Sequence, residues 1–369
     1  MSEKPRGDLG RVVVVGGNGF LGHHIVNQLL GPSWTASFVA SVDLRCERNR
    51  NPGAEYRECD ITDSERLQSI LEELKPDILI HTASPIAANH TLAKELFKKV
   101  NIDGTASVVE ACQKAGVKAL VYTSSASVLS DGVNPLWNAD ERWPVIRGDQ
   151  QSEYYTETKA AAEEIVLNAN RQEPYNLLTA SIRPAGIFGE GDAQTLPGFH
   201  KAYETRKHKV QIGDNTNLFD FTYVGNVAHA HLLAAHRLIA TSRAATAPLD
   251  HEKVDGEAFI ITNDSPVYFW DFARAVYYAS GDRSGTKGTW HMGKEIGYFF
   301  GILSEIFASI LGRTPTFTQL KVTMTTMTRF YNISKAKRVL KYEPLWTLQE
   351  GVDRGIQALI AERQAAAQK

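Results

Sequence analysis

The sequence predicts an α/β fold in which a parallel sheet is doubly wound, with helices on both faces. Three observations carry that prediction. A short run of β-branched residues, "RVVVV" (11–15), leads straight into a glycine-rich turn and then a helical apolar pattern. Further short apolar runs alternate with helical patterns through the first half of the chain. The 369 residues suffice to bury a large core, as one big α/β domain or two closely joined ones.

The run 11–15 suits a strand buried on both faces. It enters "GGNGFLGHHIVNQLL", where Gly16, Gly19 and Gly22 are spaced by three and Phe20, Ile25 and Leu29 follow in helical register. Glycines at such a turn let the chain bend tightly, let backbone approach a pyrophosphate, and let helix pack on strand. The helix N-terminus beyond supplies free N–H groups and positive dipole. Asn18, Phe20 and Leu21 share this loop and join the three glycines in the candidate dinucleotide-binding set. The next strand, "SFVASVD" (37–43), ends on Asp43, at the distance from the glycines where a carboxylate accepts hydrogen bonds from the adenosine ribose hydroxyls. Such a carboxylate repels a 2′-phosphate, so NAD is favoured over NADP, while Arg45 and Arg48 keep NADP open. An ordinary strand-end turn is the alternative role for Asp43.

The alternation continues with a helix over 64–74, a strand "DILIHTA" (77–83), a helix over about 91–115 and a strand "ALVYTSS" (119–125). Interleaved strands and helices imply parallel βαβ units, and ligands then sit at the carboxyl ends of the strands. "CDITD" (59–63), "HTASP" (81–85) and "YTSSASV" (122–128) fall at such ends. Asp60 and Ile61 are placed to bracket an adenine, and Thr82, Ala83 and Ser84 to line the crevice. A polar loop cap is the alternative for each.

A net charge of −2 and the absence of a dense Lys/Arg run argue against a nucleic-acid partner. Cys46, Cys59 and Cys112 lack C-x-x-C spacing and read as free thiols in a reducing compartment. The polar start "MSEKPRGDLG" has no apolar core of the kind a signal peptide carries. "SEYYTETK" (152–159) holds Tyr155 four residues before Lys159, the spacing that sets two side chains on one helix face. Tyr203 with Lys207 and Tyr331 with Lys335 repeat it, so spacing alone does not choose.

Context does choose. The chain resembles an extended short-chain dehydrogenase/reductase, with G-x-x-G-x-x-G, a strand-end serine and Y-x-x-x-K in the expected order. In that family the serine lies about thirty residues before the tyrosine, as Ser125 does before Tyr155. The other two Tyr/Lys pairs have no such partner. Val15 departs from the pattern, since many relatives carry threonine before the first glycine. The resemblance implies a Rossmann-type sheet with Tyr155, Lys159 and Ser125 as the catalytic set. A tyrosine near pKa ~10 is a poor base at neutral pH, and a neighbouring ammonium favours its phenolate. Tyr155 then takes a hydroxyl proton, Lys159 supplies charge and holds the nicotinamide ribose, and Ser125 orients the substrate oxygen.

"LLTASIRPAGIFGEGD" (177–192) resembles the family segment that closes over the nicotinamide, which makes Pro184 and Ile187 cofactor walls and Arg183 structural. "FDFTYVGNVAHAHLLAAH" (219–236), "GEAFIITNDSPVYFWDFARAV" (256–276) and "FYNISKAKRVLKYEPLWTLQEGV" (330–352) are similar to the 3β-hydroxysteroid dehydrogenase branch, and within it to the decarboxylating sterol-4α-carboxylate 3-dehydrogenases. His229, His231 and His236 diverge round their helix and form no metal constellation. The implied organisation is a cofactor domain over 9–190, with 219–240 packing back on it, and a smaller, mostly C-terminal substrate-binding region over 191–369. The implied substrate is a 3β-hydroxy-4α-carboxy sterol, or a related tetracyclic triterpenoid acid. Oxidising C3 makes a β-keto acid, in which loss of CO2 delivers its electrons into an enolate. Left open are a 3β-hydroxysteroid dehydrogenase/isomerase without decarboxylation, a non-catalytic dinucleotide sensor or scaffold, and a sugar-nucleotide epimerase.

"EIGYFFGILSEIFASILG" (295–312) is the most apolar stretch, too short and too interrupted by Glu305 to span a bilayer. Phe299, Ile302, Leu303, Ile306, Phe307 and Ile310 fall on one side of a helix, opposite Gly301, Ser304, Glu305, Ala308 and Gly312. With Lys294 and Arg313 flanking it, the segment reads as a helix in the membrane interface or a lid over the sterol, with a buried core helix as the alternative. Together with the resemblance to sterol enzymes, this segment implies an expected seat on the cytosolic face of the endoplasmic reticulum membrane, or in the cytoplasm if the segment is core. Other enzymes of sterol C4 demethylation and a second copy of the chain are the expected partners.

Overall fold

The computed structural model describes residues 6–85, 94–246, 248–311, 315 and 317–367. Seven parallel strands form the central sheet: β1 (Arg11–Val15), β2 (Phe38–Asp43), β3 (Glu55–Glu58), β4 (Ile78–His81), β5 (Ala119–Thr123), β6 (Leu178–Pro184) and β7 (Glu257–Ile261). Their spatial order is β7-β6-β5-β4-β1-β2-β3. The order reverses beside β1, which opens a crevice at the carboxyl ends where a ligand can enter. Val12 to Val15 are fully buried, as a strand covered on both faces requires.

One face of the sheet carries α1 (Phe20–Leu29), and the other carries α2 (Ser64–Leu74) and α3. Helix α3 is described from Lys94, with α-helical segments Lys94–Phe97 and Gly104–Lys114 flanking a π-helical stretch at Lys98–Asp103. The first three residues of the expected helix over 91–115 lie outside the described residues. Helix α4 (Tyr154–Asn168) packs beside α3, and α5 (Val224–Arg243) lies against α1, β5 and β6. Strand β7 extends the sheet with chain from beyond residue 190.

A second, four-stranded sheet stands over the carboxyl ends. It orders Val267–Tyr268, Leu218–Phe219, Arg329–Tyr331 and Leu136–Ala139, so it joins the chain just after β5 to the C-terminal half. Beyond it lies α6 (Lys294–Ile310), packed on α7 (Gln319–Thr326). The contact uses the small residues: Gly297, Gly301 and Ala308 are buried, and a Cβ on Gly301 would stand 2.9 Å from the Gln319 nitrogen. The Glu305 carboxylate accepts from the Gln319 backbone N–H at 2.9 Å and its side-chain amide at 2.8 Å. The large side chains point outward, with Phe299 58%, Phe307 66% and Ile310 75% exposed. The segment is therefore not a core helix. Gly312 and Arg313 lie outside the described residues. Among the described residues no helix is long and apolar enough to cross a membrane.

Candidate active site

The turn after β1 has no room for a side chain at Gly16 or Gly22. Gly16 adopts φ +81°, and a Cβ there would stand 2.6 Å from the Ala83 nitrogen and 2.7 Å from Thr82 Oγ1. A Cβ on Gly22 would meet the Gly16 carbonyl oxygen at 2.1 Å. Thr82 Oγ1 donates to the carbonyls of Val15 (3.0 Å) and Gly16 (3.2 Å), tying β1 to β4 beside the crevice. Gly19 caps α1 without a side chain, and no acidic residue stands in the first turn. The first amides of α1 are thus open to an anion, and this cradle fits a dinucleotide pyrophosphate.

Asp43 closes β2, and its Oδ2 accepts from the Asn18 backbone N–H at 2.9 Å. Asn18 is buried, donates to the Arg48 carbonyl at 2.6 Å and accepts from Ser41 Oγ at 2.6 Å. The Arg45 and Arg48 side chains are exposed. Phe20 is half-buried at the start of α1, whereas Leu21 points into the core, so only its backbone faces the loop. Asp60 is exposed and accepts from Thr62 at 2.9 and 2.8 Å, and Ile61 is buried over Gly104. Ala83 and Ser84 are half-buried at the end of β4, Pro184 is buried at the end of β6, and Ile187 is half-buried just beyond.

Helix α4 brings Tyr155 and Lys159 to the carboxyl end of β5. Lys159 is 2% exposed. Its ammonium donates to the Thr123 carbonyl at 2.5 Å and lies 4.7 Å from the centre of the Tyr122 ring. Burial pulls its pKa down to about 7, with the Glu163 carboxylate opposing. The Tyr155 ring meets Phe97 edge-on at 5.7 Å. Burial pushes the Tyr155 phenol up, and the Ser84 hydroxyl acts in the other direction. The expected downward shift of Tyr155 by Lys159 is therefore not met in the protein alone. Desolvation is the largest influence on the phenol, and it strips charge from Lys159 as well. Ser125 follows β5, and its Oγ lies 2.8 Å from Ser127 Oγ and accepts from the Ser127 backbone N–H at 3.1 Å.

Two supports of this cluster have no sequence signal. Asn101 is buried in the π-helical stretch of α3, accepts from Ser84 Oγ at 2.9 Å and donates to Thr158 Oγ1 at 2.9 Å. Thr158 in turn donates to the Tyr155 carbonyl at 2.7 Å, so the end of β4 is linked to the first turn of α4. His231 Nδ1 lies 2.9 Å from the Val227 carbonyl, which makes Nδ1 the donor. Nε2 then accepts from Thr123 Oγ1 at 2.7 Å, and this fixes the residue whose carbonyl holds Lys159. Arg183 is committed elsewhere: its Nε and Nη2 grip the buried Glu163 carboxylate at 2.5–3.1 Å.

The rival Tyr/Lys pairs are dispersed. Tyr331 and Lys335 diverge, with Lys335 Nζ donating to Glu257 at 2.7 Å, and Lys207 is exposed. Among the described residues no group of histidines, cysteines or carboxylates could hold a metal.

The solved structures that this fold matches include a UDP-glucose 4-epimerase from Thermotoga maritima, with TM-score 0.69 and 20% identity over 96% of this chain and 99% of that one. A Thermus thermophilus UDP-glucose 4-epimerase in complex with NAD matches at TM-score 0.67 and 21% identity, over 95% and 99%. At those identities the likeness shows the fold alone. Sequence relatives reach further. A Saccharomyces cerevisiae protein named sterol-4-alpha-carboxylate 3-dehydrogenase, decarboxylating, is 37% identical over 93% of this chain and 96% of its own. The Homo sapiens protein of the same name is 35% identical over 94% and 88%. The family described as 3-beta hydroxysteroid dehydrogenase/isomerase matches residues 13–289. On that span and those identities, the chain belongs to the 3-beta hydroxysteroid dehydrogenase/isomerase family.

Proposed function

We propose that the protein oxidises the 3β-hydroxyl of a 4α-carboxy sterol, or of a related tetracyclic triterpenoid acid, and releases the C4 carboxylate as CO2, a step of sterol C4 demethylation. The observation that carries the chemistry is that Lys159 reaches the carboxyl end of β5, where Ser125 follows, while Tyr155 one turn before Lys159 neighbours Ser84 at the end of β4, beside the glycine cradle. The substrate class is supported by the names of relatives that align over most of this chain. Residues 9–190 with α5, joined by β7, hold the cofactor, and the remainder forms the substrate-binding region.

Gly16, Asn18, Gly19, Phe20, Leu21 and Gly22 receive the pyrophosphate side of a nicotinamide dinucleotide, with Asp60, Ile61, Thr82, Ala83, Ser84, Pro184 and Ile187 along the crevice. The Asp43 carboxylate favours NAD over NADP. When bound, oxidised NAD supplies the hydride acceptor and a positive charge next to Tyr155. Tyr155 then withdraws the C3 hydroxyl proton, Lys159 steadies the phenolate, and Ser125 holds the oxygen as it becomes a carbonyl. The resulting β-keto acid breaks its bond from C4 to the carboxylate. The electron pair flows to the C3 oxygen, where Ser125 and Tyr155 stabilise the enolate before C4 is protonated. Purified protein with NAD and a 4α-carboxy sterol is expected to form CO2 and NADH in equal amounts. NADH without CO2 would instead favour the dehydrogenase/isomerase activity that the family description names.

The outward apolar face of α6 supports a peripheral seat on the cytosolic surface of the endoplasmic reticulum membrane, where a sterol is delivered. Replacing Phe299, Ile306 and Phe307 together by Glu should leave the protein folded and free it from sedimenting phosphatidylcholine vesicles. Undiminished co-sedimentation of the triple variant would refute the membrane seat.

A further inference from the structure

Several cations on the elements that carry the candidate site and the second sheet are paired with carboxylates. Arg183 is paired with Glu163, Arg147 with Glu157 and Glu164, and Lys335 with Glu257. Arg329 differs. It is half-buried in the second sheet and, among the described residues, has no carboxylate within ion-pair distance. Its Nε donates to the Tyr331 hydroxyl at 2.8 Å, and its Nη1 has only the Met324 sulfur at 3.9 Å. Nη2 donates to none of the described residues.

The location of this guanidinium is informative. The Tyr331 hydroxyl that it touches also donates to the Ala126 carbonyl at 3.3 Å, and Ala126 follows Ser125 directly. The strand carrying Arg329 pairs in register with Leu136, on the chain that leaves the Ser125 turn. The cation therefore stands one side chain and one peptide unit away from the serine that is to hold the C3 oxygen. On a sterol acid, the C4 carboxylate is attached to the carbon next to C3. A half-buried guanidinium with free N–H groups is the residue type best suited to a carboxylate.

We propose that Arg329 receives the substrate's C4 carboxylate and that this contact, rather than the Ser125/Tyr155 pair, separates sterol acids from neutral 3β-hydroxysteroids. The inference deepens the reading above and rests on it. A carboxylate of the same sheet region is Asp220, whose backbone N–H donates to the Arg329 carbonyl at 3.0 Å, whose Oδ2 accepts from the Tyr331 backbone N–H at 2.8 Å, and whose Oδ1 has no partner among the described residues. Burial pushes that carboxyl up to about 7, so it competes weakly for Arg329 near neutrality. The contact also has a mechanistic sign. Negative charge leaves the carboxylate as CO2 departs, so an arginine there favours binding of the acid and does not assist the bond cleavage.

The test compares Arg329→Met and Arg329→Lys with wild type, on a 4α-carboxy sterol and on the matching 4α-hydroxymethyl sterol. Binding to the NADH-loaded protein is measured by calorimetry alongside turnover. Arg329→Met should weaken binding and raise KM for the acid by about ten- to hundred-fold, the range of one charge-assisted hydrogen-bonding group. Values for the alcohol should stay within about two-fold, and Arg329→Lys should recover part of the loss. Equal damage to acid and alcohol would make Arg329 structural and overturn the proposal, as would unchanged affinity for the acid. Lys94 serves as the control cation, since it is exposed and lies 5.3 Å from the centre of the Tyr154 ring. An acid-specific loss in Lys94→Met instead of Arg329→Met would also overturn it. Wild-type protein that binds the acid through Arg329 yet releases no CO2 would refute the decarboxylating function and leave the carboxylate subsite standing.

Discussion

Tyr155→Phe is expected to lower kcat by about 10³-fold, the scale of a lost general base, with little change in dinucleotide affinity. The phenol oxygen is the only atom removed. The ring keeps its edge-on contact with Phe97 at 5.7 Å, and the tie from Thr158 to the Tyr155 carbonyl is untouched. Burial already holds this phenol in its neutral form, so removing its hydroxyl carries no large folding penalty. Steady-state turnover and a fluorescence titration with NADH check both halves of the expectation. A variant that retains turnover within ten-fold of wild type would remove Tyr155 from the mechanism.

Lys159→Met separates activity from stability. Turnover should fall by roughly 10²–10⁴-fold, because the cation proposed to steady the phenolate one helical turn away is lost. Stability should move the other way. The amine has a folded pKa of about 7 against an ordinary value of 10.5, so between those values the unfolded chain binds more protons than the folded one. Wild-type stability therefore rises with pH across that window, and below about 7 the full cost of burying the charge is present. That cost is on the order of 4–5 kcal/mol as an upper bound, offset by about 1 kcal/mol for the hydrogen bond to Thr123 that methionine cannot make. The variant should melt above wild type at pH 6, and the gap should shrink by pH 9. Thermal melts at the two pH values decide it. A gap that is constant or widens toward pH 9 would mean that Lys159 is not buried as a strained cation.

The parts of this molecule that were legible in its sequence are those fixed by neighbours in the chain. The strand at 11–15, the glycine spacing after it and the helix at 64–74 follow from runs and periodicities a few residues long, and the structure holds strand Arg11–Val15 and helix Ser64–Leu74. The run 77–83 overshoots the strand Ile78–His81 by one residue at its start and two at its end, because residues lining the crevice continue the run. The short strand Glu55–Glu58 carries no apolar run at all and exists through its pairing with β2. Asn101 reads as one more polar residue on a helix. Only the π-helical stretch turns it toward Ser84 and Thr158, and that is settled by packing. Arg329 stands two residues from a tyrosine in an unremarkable run, and its meaning depends on the alignment of its strand with the chain after Ser125, some two hundred residues earlier. Electrostatics was the least legible. The Tyr155–Lys159 spacing shows that the two groups share a helix face, but not that burial moves both away from their charged forms.

The grip of Arg183 on Glu163 constrains how this chain can change over evolutionary time. Both groups are almost wholly shielded from water, and Ser181 Oγ adds a donor to Glu163 at 2.8 Å. Losing either partner alone leaves the other as an uncompensated buried charge, a penalty of about 3–5 kcal/mol, which is comparable to much of a domain's net stability. Replacing both by apolar residues of similar volume can be nearly neutral. The two positions are therefore joined by a valley: sequences with both ions and sequences with neither are accessible, and the single-step intermediates between them are not. Since Glu163 lies one helical turn beyond Lys159, crossing that valley would also remove the carboxylate that opposes the lysine's loss of charge.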